Sequence, residues 1–172
     1  MNASQISLLE KIKHFSLDEQ DASFSFTVRL AREQAWSLGY AARVCDEYKR
    51  FMFLAVIAEH PVTPSVDVDA VWHLHLLYTR SYWHSWCNET LEKEIHHEPT
   101  RGGNAEDEKF HNWYTATLQS YIHYFGKEAP IDIWPSTNDR FTQGVAARWV
   151  NPDTHFIVPR INHLLKSLGA LF

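Results

Sequence analysis

Apolar residues recur along most of this chain at intervals of three and four rather than two, the spacing of amphipathic helices. Ile6, Leu8, Leu9, Ile12 and Phe15 predict a first helix over Gln5 to Phe15. A second, Phe24 to Trp36, turns Phe24, Val28, Ala31 and Ala35 inward. Ser37 stands where an N-cap belongs, ahead of a long third helix from Leu38 to Glu59. Pro61 and Pro64 stop it, because proline cannot continue a helix and restrains the residue before it. The fourth predicted helix runs from Val68 to about Asn88 behind an Asp67 cap. At 100° per residue, Val68, Val71, Trp72, His75, Thr79, Tyr82 and Trp86 share one stripe, with Leu76 and Trp83 at its flank. A polar loop over 96–103 leads to a fifth helix, capped by Asn104 and reaching about Phe125. Its inward set is Phe110, Trp113, Tyr114, Thr117, Leu118, Tyr121 and Phe125.

Beyond Gly126 the periodicity fails, and Pro130, Pro135, Pro152 and Pro159 punctuate the chain. Trp134, Phe141, Trp149 and Phe156 are expected to pin this arm to the helices, and His155 to Val158 could form a short strand. The fold class that follows is all-α: a bundle of about five helices with an irregular, Pro-rich C-terminal arm. It reads as one domain over 1–172, with a helical core at 1–130 and a docked arm at 131–172.

Composition narrows the picture. With 172 residues the chain can bury roughly 70 % of its unfolded surface, and seven Trp, seven Tyr and ten Phe make that core one of large rings. Met52 and the aromatic stripes belong to it. The formal charge is −5, with sixteen basic residues dispersed among twenty-one acidic ones. That is the opposite of the basic footprint that displaces counterions from nucleic acid, so no nucleic-acid partner is expected. The N-terminal residues lack the basic start and apolar stretch of a signal peptide. The longest near-continuous apolar run, Phe51 to Ala58, falls far short of the ~20 residues of a membrane helix. Cys45 and Cys87 cannot build a disulfide framework. A cytoplasmic protein without a membrane partner is the expectation.

The densest polar signal is Asp69-Ala70-Val71-Trp72-His73-Leu74-His75, followed about twenty residues on by His96-His97. Imidazole and carboxylate are the usual ligands of zinc and related ions, and a catalytic zinc takes three protein ligands plus water. Asp69 and His73, four apart, share a helix face and can converge on one ion; His97, in a turn-rich loop, is the natural third ligand. His75 diverges from His73 by about 200°, so it is an alternative ligand, a second-shell residue, or a buried hydrogen-bonded histidine. Glu98, beside His97, is the candidate general base. His84 and Cys87 lie roughly 16 and 21 Å from His73 along a straight helix and are set aside.

Other motifs fail sooner. Gly102-Gly103 before a helix suggests a phosphate cradle, but Glu106-Asp107-Glu108 in the first turn repels anions, so no nucleotide cofactor is expected. Cys45 has no histidine one helical turn away, and Cys87 has only His84 at i−3, a weak case for a thiolate nucleophile.

The run Glu47-Tyr48-Lys49-Arg50-Phe51 and the Asp-x-x-Trp-His-x-His segment at 69–75 resemble the family of glycine-rich domain-containing proteins. The stretches Leu77 to Trp83, Ile95 to Thr100 and Asp132 to Pro135 are similar to its bacterial branch, and the likeness spans about Phe24 to Phe141. The resemblance implies a helical domain, in which Asp69, Trp72, His73, His75 and His97 match the shared pattern. It implies no particular activity. With six Gly and no glycine-rich region, this chain lacks the segment for which the family is named.

Three functions remain open. The first is a helical domain binding a divalent transition metal, zinc first among them, with a metal-dependent hydrolase as the leading reaction class. The second is a protein-interaction scaffold in which these histidines are structural. The third is a metal-free enzyme for a small molecule, using Asp69 and His73 as an acid–base pair.

Overall fold

The computed structural model describes residues 1–19, 22–98 and 104–142. Within them the chain is all-helical, with seven helical segments and no strand. The expected strand at 155–158, the rings of Trp149 and Phe156, and the Gly102-Gly103 turn lie outside the described residues.

Helix α1, Ala3–His14, opens on a capping box: the Asn2 side chain accepts from the Gln5 N–H at 2.9 Å, and the Gln5 side chain accepts in return from the Asn2 N–H. It buries Leu9 and Ile12. Helix α2, Phe26–Gln34, is capped by Ser25 and ends at Ala35 in the left-handed region, φ 54°. Its buried face is Phe26, Leu30 and Ala31; of the expected inward set only Ala31 is buried. Phe24 precedes the cap and Val28 sits half a turn from Phe26, so both are exposed. The larger i, i+4 pair Phe26–Leu30 wins the interior because it removes more apolar surface from water.

Helix α3, Leu38–Ile57, is capped by Ser37 as expected and stops two residues early, at Ala58. It forms the central pillar, with Val44, Tyr48, Phe51, Met52, Phe53 and Leu54 fully buried, and α1, α2, α4 and α5 pack against it. It also buries Glu47. That carboxylate accepts from Trp134 Nε1 at 3.1 Å and Tyr121 Oη at 3.3 Å, and pairs with Arg50. A buried charge survives when its lone pairs are so satisfied.

The expected fourth helix is two. Helix α4, Val66–Leu77, is capped by Ser65, not Asp67. The chain then breaks at Tyr78 (φ −87°, ψ 61°) and resumes as a π-helix, π1, Ser81–Leu91. No glycine or proline marks the break. The reason lies in which side chains are buried: Tyr82, Trp86, Cys87 and Leu91. At 100° per residue Leu91 would face directly away from Tyr82, whereas the wider i→i+5 turn brings all four inward. Thr79, expected in the stripe, follows the break and is exposed.

Helix α5, Asn104–Phe125, buries Tyr114, Thr117 and Tyr121 and ends at Gly126, whose φ of 68° suits a residue without Cβ. The following segment returns to the bundle. Ile133 and Trp134 enter the core, and Phe141 on a short helix α6, Thr137–Thr142, packs against it. Trp134 and Phe141 thus pin the described part of the arm. No helix among the described residues is long and apolar enough to cross a membrane.

Candidate metal centre

Asp69 lies in the first turn of α4, its N–H bonded to the Ser65 carbonyl at 2.9 Å. His73 follows one turn later, with Nε2 3.5 Å from Asp69 Oδ2. His97 arrives from the segment after π1 and places Nε2 2.8 Å from Asp69 Oδ1. The two imidazoles meet edge to face, with ring centroids 4.6 Å apart. One ligand atom from each of the three residues lies within 4.8 Å of the others. The cluster opens on one side: the His73 side chain is 62 % exposed, Asp69 33 % and His97 18 %.

Position 97 is held by a relay that starts in α4. Trp72 Nε1 donates to Tyr82 Oη at 2.9 Å, and the Tyr82 hydroxyl donates to the Ile95 carbonyl. Ile95 is buried, and the Trp72 ring packs against His97 with centroids 4.3 Å apart. These contacts tie the strap after π1 back onto α4, next to Asp69. In the sequence Trp72 and Tyr82 read as core aromatics within the stretches that carry the family resemblance, and not as a relay. Their polar tips were the available signal, because a buried indole N–H or phenol O–H needs a partner.

His75 belongs elsewhere. It is fully buried among the rings of Phe15, Phe26, Tyr48, Tyr82 and Trp86. Nδ1 pairs with the Tyr48 hydroxyl at 2.9 Å and Nε2 with Ser81 Oγ at 3.1 Å. With both nitrogens engaged, the ring is not among the three ligand-bearing groups, and desolvation pushes its pKa down to about 3. Of the roles weighed for His75, the geometry fits the buried, hydrogen-bonded one.

The remaining candidates stand apart. Glu98 is exposed and outside the three-residue cluster. His96 is exposed beside Glu94 and Trp83. His84 is exposed and Cys87 buried, and neither enters the cluster although the helix does break between them and His73. Burial raises the thiol of Cys45 to about 12 and also raises that of Cys87, so neither is a ready thiolate.

Two further groups shape the electrostatics. Asp67 turns away from the cluster to accept from the Tyr40 hydroxyl, and burial raises its pKa. Arg140, from α6, reaches the Pro64 carbonyl with Nε and Nη2, each at 3.4 Å, and lies over the rings of Tyr114 and Phe141. Burial lowers its pKa, while the nearby carboxylates of Asp69 and Asp67 act in the opposite sense.

The chain matches no protein-family model, no curated protein and no solved structure.

Proposed function

We propose that this chain binds a divalent transition metal, zinc-like in its ligand preference, through Asp69, His73 and His97. The observation that carries the reading is the convergence of three ligand atoms within 4.8 Å, two from α4 and one from a residue twenty-four positions beyond His73. Tetrahedral zinc with bonds of about 2.0–2.1 Å needs ligand atoms roughly 3.3 Å apart. Each histidine faces its own Asp69 oxygen, at 2.8 and 3.5 Å, and the three ligand atoms span up to 4.8 Å, so the side chains must rotate inward to close on an ion. Three protein ligands and an open face leave room for a bound water, the arrangement of a hydrolytic centre. Glu98 is the proposed base only if its exposed carboxylate swings toward that water.

Elemental analysis of protein purified without a polyhistidine tag tests the reading. About one equivalent of a transition metal is expected, or stoichiometric uptake of added Zn²⁺; less than a tenth of an equivalent, with no uptake on titration, sinks it. Kinship with the glycine-rich domain-containing family is a further proposal, resting on the Asp69–His75 segment and the shared helical character.

A second reading has its own support. The Asp69–His97 hydrogen bond and the Trp72–His97 contact form a polar staple that holds the strap without any ion. In that reading the chain is an interaction scaffold, and alanine at His97 lowers the melting temperature with no associated change in metal content.

A further inference from the structure

A cleft of about 470 Å³ lies where α1, α3 and the end of α5 meet. That volume falls within the roughly 300–1,000 Å³ of small-molecule sites. The cleft shares no residue with the Asp69–His73–His97 cluster. Its apolar side is built from Ile12 of α1 and from Tyr124 and Phe125 of α5. Both rings are held from behind. Tyr124 meets Phe53 edge to face, and Phe125 packs against Phe53 and Tyr121. The floor is therefore formed in advance of any ligand, which lowers the ordering cost of binding.

The polar side is cationic. Lys13, Lys49 and Arg50 line the cleft beside one carboxylate, Asp46, in a chain whose formal charge is −5. Each cation is positioned by a contact of its own. Half-buried Lys49 donates to the carbonyl of Phe15, a neutral acceptor at the end of α1. Arg50 is oriented by Glu47, whose other oxygen accepts from Trp134 on the core side. Lys13 pairs with Glu10 at the exposed surface, where such a pair is weak. Two helices thus bring ammonium and guanidinium donors beside a pair of rings. A wholly apolar ligand would desolvate those cations without pairing them, and a simple anion would leave the rings wet. The juxtaposition selects a charged head on a flat apolar body.

We propose that this cleft binds a small aromatic carboxylate, its oxygens on Lys49 and Arg50 and its ring against Tyr124 and Phe125. Charge-assisted hydrogen bonds supply direction, and ring contact supplies buried area. The site is independent of the metal reading above.

The test titrates the full chain by calorimetry with 2-naphthoate, for which saturable binding with a Kd below about 1 mM is expected. 2-Naphthamide keeps the ring without the charge, and acetate keeps the charge without the ring. Each binds at least about tenfold more weakly than naphthoate. Intermolecular nuclear Overhauser contacts from naphthoate to the rings of Tyr124 and Phe125 place the ligand. Lys49→Met keeps the stem and removes the charge; it weakens naphthoate about tenfold or more and leaves naphthamide unchanged. Should that variant fail to fold, the naphthamide comparison and the Overhauser contacts, both made on the wild type, decide the matter. No saturable binding of naphthoate, equal affinity for naphthamide or for acetate, or contacts only to other rings overturns the proposal. Unchanged naphthoate affinity in folded Lys49→Met does so as well.

Discussion

His97 Nε2 lies 2.8 Å from Asp69 Oδ1 although twenty-eight positions separate them in the chain. Asp69 Oδ2 faces His73, so one carboxylate stands between two imidazoles. Removing the carboxylate charge should therefore hurt metal binding more than it hurts the fold. Asp69→Asn is expected to weaken Zn²⁺ by at least about 100-fold, beyond the 10–100-fold typical of changes to outer-shell partners. Its apo-form stability should fall by only about 1 kcal/mol, the net worth of a hydrogen bond. Calorimetric titration beside thermal unfolding separates the two effects. Equal Zn²⁺ affinity in both proteins removes Asp69 from the ligand set.

Tyr82 acts on the cluster from a distance, as a positioning residue. Tyr82→Phe keeps the buried ring and deletes the oxygen that accepts from Trp72 Nε1 and donates to the Ile95 carbonyl. Two buried partners are left unsatisfied, which costs about 2 kcal/mol. Because the strap carrying His97 loosens, metal affinity is expected to fall about tenfold. A merely structural role would lower the melting temperature and leave the metal dissociation constant unmoved.

The buried His75 ties stability to pH. Its folded-state pKa of about 3 lies below its ordinary value of 6.5, so on acidification the unfolded chain takes up a proton that the folded one refuses. Its contribution is complete above pH 6.5 and is lost progressively as the pH falls toward 3, by on the order of 1 kcal/mol per pH unit. The sign follows from the unfolded state binding more protons. His75→Gln cannot titrate, so the stability difference between wild type and variant should narrow between pH 6.5 and 4. A constant difference across that range would show that the ring is protonated in the fold.

Glu47 joins three elements through one buried carboxylate: Arg50 on α3, Tyr121 on α5 and Trp134 beyond it. Glu47→Ala strands Trp134 Nε1 and the Tyr121 hydroxyl and unpairs Arg50. A loss of about 3 kcal/mol in urea unfolding is expected, at the low end for a broken buried pair because Arg50 is partly exposed. A change below about 1 kcal/mol would mean that water reaches the site.

Much of the molecule is legible in local pattern. Every α-helix but α6 was signalled by period, π1 only as the continuation of α4, and Ser37 by its capping chemistry, because helix formation and capping are decided within one or two turns. The choice of Asp69 and His73 as neighbours was equally local, since an i, i+4 pair shares a face whatever surrounds it. Tertiary contact decided the rest. Phe26 and Leu30 displaced Phe24 and Val28 from the inner face of α2 through competition for a finite interior. The π-helix exists because Tyr82, Trp86, Cys87 and Leu91 must all face one core, a demand that no residue in the break announces. The meeting of His97 with Asp69, and the approach of Arg140 to the same helix end, depend on the Trp72–Tyr82–Ile95 relay and on α6 folding back. Such contacts close long loops, and what stabilises them is packing among residues far apart in the chain, which periodicity does not encode.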